Sequence, residues 1–161
     1  MGGAARATAY RVAVPRPSPF VHQVPVRYLE VDQQAVVFNM WYLAYLDDAM
    51  TAFLLAGGLP YTRMIQAGFD VQLVHTELDW EGSLRWGDVA NVEVGVARLG
   101  STSFTLDFAL DAHGRAVARA STVYVVVRTD GTGKCPIPRL LLDALGDRTP
   151  TPGEMSGPGL A

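Results

Sequence analysis

One stretch, Met40 to Gly58, governs what this 161-residue chain can fold into. It is apolar almost throughout, yet Asp47, Asp48 and Thr51 interrupt it, so it lacks the roughly 18 to 20 unbroken apolar residues of a membrane span and reads as a buried helix. Asn39 ahead of it predicts an N-cap, and Gly57-Gly58 with Pro60 predict its end. At about 100° per residue, Ala44, Asp47, Asp48 and Thr51 share one narrow arc, while Trp41, Tyr42, Leu43, Tyr45, Leu46, Met50, Phe53, Leu54 and Leu55 fill most of the rest. Such a helix must be wrapped by other structure over most of its girth.

The rest of the chain supplies a sheet for that purpose. Phe69 to Glu81, Asp88 to Arg98, Thr102 to Asp111 and Arg115 to Arg128 are rich in β-branched residues and largely alternate, as in Phe104-x-Leu106-x-Phe108-x-Leu110. Gly82-Ser83, Leu99-Gly100-Ser101 and Ala112-His113-Gly114 separate them by hairpin-sized gaps, which predicts an antiparallel meander. Phe20 to Leu29 alternates too, with Pro25 demanding an edge position or a bulge. Pro60 to Ala67 and Pro138 to Leu145 read as short helices. The expected class is α+β, an antiparallel sheet of about five strands around one long central helix, over residues 20–146. Residues 1–19, with the run Pro15-Arg16-Pro17-Ser18-Pro19, read as a disordered leader and 147–161 as a flexible tail.

Composition removes several functional classes. Thirteen basic against sixteen acidic residues give a net charge of -3, the wrong sign for a dedicated nucleic-acid binder. A single cysteine, Cys135, forms neither an internal disulfide nor a zinc cage, and it has no neighbouring histidine to activate it. The leader lacks the apolar core of a secretory signal, so a cytoplasmic location is expected. There is no phosphate-binding glycine loop, dinucleotide fingerprint, HExxH or GxSxG, and His22, His75 and His113 lack metal-like spacing.

The chemistry sits instead just before the long helix. Asp32 stands in a loop seven residues ahead of Asn39, whose helix begins with backbone N–H groups that lack intrahelical partners. Those groups and the positive end of the helix dipole can receive a carbonyl oxygen and stabilise the charge that develops on it during attack. Asp32 is a carboxylate at neutral pH and can attack the carbonyl carbon itself or deprotonate an attacking water. The residues leave both routes open.

The run from Arg27 to Tyr45, R-x-x-E-x-D-x-x-x-V-V-x-N-x-x-Y-L-x-Y, with the helix and strands after it, resembles the hotdog-fold acyl-CoA thioesterases of the 4-hydroxybenzoyl-CoA thioesterase type over roughly Val21 to Leu145. Trp86-Gly87-Asp88, Gly100 to Phe104 and Pro136-Ile137-Pro138 resemble that family's strand ends and turns. The resemblance implies that Asp32 is the catalytic carboxylate and that the Asn39 N–H polarises the thioester carbonyl. It implies an acyl or aroyl thioester of coenzyme A, or of a carrier protein, as substrate, with no metal or organic cofactor. It also implies a homodimer or a homotetramer whose site is completed by the neighbouring subunit. Val37, Phe38, Met40 and Trp41 would line the substrate, and Arg85, Arg98 and Arg128, with Lys134, are candidates for the coenzyme A phosphates. The chain departs from the family at Ala35, where glycine is common, at Asn39, where histidine or tyrosine is common, and at Trp41, where asparagine is common. A positive φ at Ala35 would alter the loop.

Simpler readings stand beside these. Asp32 can cap a turn or pair with Arg27; Asp47 and Asp48 can be a wet or subunit-facing stripe; His75, Glu77 and Asp79 can be a charged outer face; Trp41, Tyr42 and Tyr45 can be packing. Two other functions compete with hydrolysis: a hotdog hydratase or dehydratase, which needs a positioned histidine with an acid near the helix, and a non-catalytic acyl-thioester-binding protein.

Overall fold

The computed structural model describes residues 19–147, so the expected leader and most of the expected tail lie outside the described residues. Strand β1 (Phe20–Pro25) leads through a 3-10 turn (Tyr28–Glu30) to the long helix α1 (Met40–Ala56) and the short α2 (Tyr61–Gln66). Strands β2 (Phe69–Trp80), β3 (Val89–Leu99), β4 (Ser103–Ala112) and β5 (Arg115–Arg128) follow, and α3 (Arg139–Leu145) closes the described chain. Five antiparallel strands form one sheet in the order β1-β3-β4-β5-β2.

Period-two alternation decides which face meets the helix. On β4, Phe104, Leu106, Phe108 and Leu110 are buried, while the residues between them are partly exposed. Each such side chain contributes about 1.5–3 kcal/mol of burial. Val92, Val94 and Val96 of β3 and Tyr124 and Val126 of β5 continue that inner face, against Tyr42, Leu46, Ala49 and Phe53 of α1. Pro25 ends an edge strand, where its missing N–H costs no ladder bond.

The expected meander holds only for β3, β4 and β5. Strand β2 pairs with β5 at the far edge of the sheet, so Gly82-Ser83 is not a hairpin turn but part of a crossover from one edge strand towards the other side of the sheet. The crossover is anchored on the helix side: Leu84 is fully buried, its N–H donates to the Tyr42 hydroxyl at 3.4 Å, and its carbonyl accepts the Val37 N–H at 2.8 Å. Gap length alone cannot reveal such an anchor.

At the end of α1 two glycines do different work. A Cβ on Gly57 would strike the Ala144 carbonyl of α3, and Gly58 takes φ +83°, a left-handed value that glycine adopts without strain. The helix is covered less completely than its composition predicts, for Met40, Leu43 and Leu55 remain exposed in the single chain. No described helix is long and apolar enough to cross a membrane.

Candidate active site

The eight residues from Val31 to Phe38 form a tight turn closed at its base by a bridge between Val31 and Val37. Inside it, the Asp32 N–H donates to the Val36 carbonyl and the Ala35 N–H donates to the Asp32 carbonyl, each at 2.9 Å. The Asp32 side chain takes part as well: Oδ1 accepts the Gln34 N–H at 2.8 Å, a local Asx bond that orients the carboxylate. Asp32 is half-buried, and its Oδ2 has no hydrogen-bond partner among the described residues. Turn capping and an available oxygen thus coexist in one carboxylate.

Ala35 adopts φ +59°, so the turn keeps a left-handed residue although the side chain there is not hydrogen. That conformation costs an L-residue roughly 1–2 kcal/mol.

The exit of the turn is the start of α1. Phe38 donates its N–H to the Glu30 carbonyl and accepts the Trp41 N–H, both at 2.9 Å, and Tyr42 donates to the Asn39 carbonyl at 3.3 Å. The expected side-chain cap is absent: Asn39 already has helical φ -49° and ψ -37° and makes no side-chain cap bond. A capping residue needs extended backbone to turn its side chain onto the N–H groups ahead, and here the tied Phe38 brings the chain in already helical. The N–H groups of Asn39 and Met40 consequently have no acceptor among the described residues, and both residues are exposed.

Under the turn lies a residue to which the sequence assigned no role. Glu30 is 1% exposed, and Tyr45, which shares its hydrogen bond, is 2% exposed. Glu30 Oε2 accepts the Arg27 N–H at 2.8 Å and the Tyr45 hydroxyl at 2.6 Å, and Oε1 accepts the Arg27 guanidinium at 2.7 Å. Arg27 therefore pairs with Glu30 and not with Asp32, and its guanidinium lies 5.4 Å above the Trp41 ring. Burial pushes the Glu30 carboxyl up, but the Tyr45 and Arg27 hydrogen bonds together with the Arg27 charge outweigh it and hold the group below its usual range. Two signals could have found it: the i,i+3 spacing from Arg27 and a tyrosine on a face of α1 that is otherwise apolar.

The other candidate residues fall in separate places. Phe38 and Met40 flank the free N–H groups and are exposed, Trp41 is partly buried, and Val37 is buried with its N–H given to Leu84. Arg85 stands in the crossover beside this end of the sheet, next to an exposed Tyr28–Trp86 edge-on pair. Arg98 and Arg128 lie at the opposite ends of β3 and β5, as the pairing of Pro25 with Val89 and of Phe69 with Arg128 shows. Along β3 that separation is about 30 Å, so one chain does not bring the three arginines together. Lys134 bridges to Val127 at the same far end.

Asp47 and Asp48 are exposed on α1. Asp48 accepts from or pairs with His22 Nε2 at 3.0 Å, nine residues beyond Asn39 and therefore about 13 Å along the helix from its start. Desolvation and the neighbouring Asp48 charge raise the Asp47 carboxyl. Asp47 also borders a pocket of about 310 Å³ between α1, α2 and the beginning of β2, floored by Met50, Leu54, Leu59 and Met64. His75, Glu77 and Asp79 are exposed on the outer face of β2, and Cys135 is buried.

A five-stranded antiparallel sheet wrapped around one long helix is the hotdog fold, and here the turn ahead of that helix presents a carboxylate close to free N–H groups. Residues 26–145 match the model of the thioesterase-like superfamily, and the chain belongs to that family. It is 30% identical over 130 residues to an Aquifex aeolicus protein carrying an esterase designation, a match spanning 80% of this chain and 99% of that protein. It is 25% identical over 122 residues to the 1,4-dihydroxy-2-naphthoyl-CoA hydrolase of Synechococcus elongatus, spanning 74% of this chain and 90% of that enzyme. A crystal structure of 4-hydroxybenzoyl-CoA thioesterase shares the fold at TM-score 0.73 and 17% identity, covering 79% of this chain and 98% of that one.

Proposed function

We propose that this protein hydrolyses an acyl- or aroyl-CoA thioester, with Asp32 as the attacking or water-activating carboxylate and the Asn39 N–H as the group that polarises the carbonyl. The observation that carries this reading is the pairing of an available Asp32 oxygen with the unaccepted N–H groups of Asn39 and Met40 at the two ends of one short turn. The relative that hydrolyses a naphthoyl-CoA supports coenzyme A as the thiol carrier.

As the carbonyl carbon is attacked, its oxygen becomes an oxyanion that the helix N–H groups and dipole stabilise. Collapse expels the coenzyme A thiolate, a good leaving group, and the acid is released. In the nucleophilic route Asp32 forms an anhydride that water opens; in the general-base route Asp32 takes a proton from the water that attacks. Both routes consume only the thioester and water, so the reading calls for no metal or organic cofactor.

The site is completed by a second copy of the chain. Strand β2 has twelve residues and, among the described residues, an unpaired outer edge; its Leu73, Val74 and Trp80 are exposed, as are Met40 and Leu43 of α1, and Trp80 meets Tyr42 of α1 edge-on at 6.0 Å. An unpaired edge that long invites another strand. A symmetric partner would also bring Arg98 and Arg128 towards a helix start that their own chain keeps them from, where they would meet phosphates. A dimer is thus the smallest working unit.

Thiol release from short, long and aromatic acyl-CoAs, and from acyl carrier protein, compared between wild type and Asp32→Asn, tests the reading. The expected loss is about a hundredfold or more in kcat/KM. Equal activity of the two proteins refutes the role of Asp32, and a wild type that binds thioesters without turnover supports the binding-protein reading instead. Hydroxylamine trapping under single turnover separates the routes, because only the nucleophilic one forms an acyl–Asp32 anhydride that can be captured. The hydratase reading asks for a histidine at the helix start, and the His22–Asp48 pair stands well along α1 from it.

A further inference from the structure

We propose that Glu30 is a positioning residue of this site, holding the Asp32 turn in register with the start of α1. The inference rests on the roles given to Asp32 and Asn39 under Proposed function.

Glu30 reaches three parts of the molecule at once. Its carboxylate grips the end of the β1 segment through the N–H and guanidinium of Arg27, and it grips α1 through the Tyr45 hydroxyl. Its own carbonyl accepts the Phe38 N–H at 2.9 Å, the last link before the free N–H groups of Asn39 and Met40. Everything between the two backbone ends of this clamp is the turn that carries Asp32. Tyr45 lies six residues past Asn39, about 9 Å along the axis, so the grip on the helix is well separated from the grip on Phe38 and resists rotation as well as translation. Even the counter-charge leans on α1, since the Arg27 guanidinium stacks over Trp41.

A buried ion pair is a poor way to gain stability, because well-packed apolar groups of the same size do as well or better. What it provides is direction: four donor contacts converge on two oxygens with distances of 2.6–2.8 Å, a geometry that admits little play. Direction matters here because the carboxylate and the oxyanion donors must address one carbonyl together, and a displacement near 1 Å at such a pair costs roughly a hundredfold in rate. Among the described residues, the other hydrogen bonds at the exit of the turn are the short bridge between Val31 and Val37 and the Val37 N–H to the Leu84 carbonyl, and Leu84 in turn meets α1 at Tyr42, in its first turn, well short of Tyr45.

The test uses Glu30→Gln, which keeps the shape and removes the charge, and Tyr45→Phe, which removes only the grip on α1. Leu141→Ala serves as the control, since Leu141 is fully buried on α3, the helix whose Ala144 packs on Gly57 at the far end of α1. Two quantities are read on each full-length protein: kcat and KM for the best thioester, and hydrogen exchange of the Asp32, Ala35, Val37 and Phe38 amides. Positioning predicts that Glu30→Gln lowers kcat at least tenfold with KM within about twofold, and speeds exchange of those four amides at least tenfold, with Tyr45→Phe a smaller change in the same direction. Leu141→Ala should lower Tm while leaving kcat and turn exchange as in wild type. If Glu30→Gln does not fold, Tyr45→Phe decides alone.

Wild-type kcat in the folded variants, unchanged exchange in the turn, or an equal loss in Leu141→Ala overturns the proposal. Failure of the underlying reading looks different: Asp32→Asn then turns over like wild type, while the Glu30 variants still loosen the turn.

Discussion

Replacing Tyr45 by Phe probes the buried contact beneath the Asp32 turn. Tyr45 donates to Glu30 at 2.6 Å, and the two residues are 2% and 1% exposed, so no solvent takes the place of the lost hydroxyl. A hydrogen bond to a buried charge is worth about 1.5–3 kcal/mol. For a domain of this size that lowers Tm by roughly 6–12 °C. The loss carries a pH signature. Glu30 ionises below its ordinary value of 4.5 in the folded protein, because the Tyr45 and Arg27 bonds overcome the upward push of burial. A carboxyl depressed by folding contributes stability above its unfolded pKa, and that contribution disappears as pH falls through the folded pKa. Tyr45→Phe removes part of the depression, so wild type and variant differ most at neutral pH and converge in acid. Tyr45 itself stays protonated throughout, its hydroxyl being pushed well above its usual range by burial and by Glu30. Urea unfolding followed by tryptophan fluorescence, at pH 7 and in steps down to about pH 3, measures the difference. A ΔΔG under about 0.5 kcal/mol at pH 7, or one that stays constant into acid, refutes this account of the buried carboxylate.

Other substitutions test separate parts of the structure. Ala35→Gly relieves the left-handed strain at φ +59° against the entropy that glycine loses, for a net gain of about 1 kcal/mol or less, visible as a small rise in Tm by calorimetry; a fall in Tm would mean the strain is not there. Phe53→Ala empties the space under the sheet where its ring meets Phe20 edge-on at 5.4 Å, at a cost of about 3–5 kcal/mol in urea unfolding, and a cost near 1 would contradict its burial at 1% exposure.

Much of the architecture was legible because period and punctuation are local. Alternation on Phe104 to Leu110 marked both a strand and its buried face, and the glycines after Ala56 marked the end of α1. The crossover after β2 was not legible, since its eight residues look like a turn until Leu84 is seen docked on Tyr42 and Val37. Nor was the absent cap at Asn39, which depends on how Phe38 is tied to Glu30. Of the site, Asp32 and Asn39 stood out through a motif, whereas the weight of Glu30 became visible only with its burial and its partners.

Sequence alone determined the elements and their faces, because backbone preference and side-chain alternation act between residues a few positions apart. It also made the candidate carboxylate of the turn visible, for an acid a few residues ahead of a helix start is a local pattern. Tertiary structure decided which edge β2 occupies, which acid Arg27 neutralises, and which arginines stand far from the helix start. These are choices between partners distant along the chain, and they are settled by burial and hydrogen-bond geometry that exist only once the sheet has closed around α1.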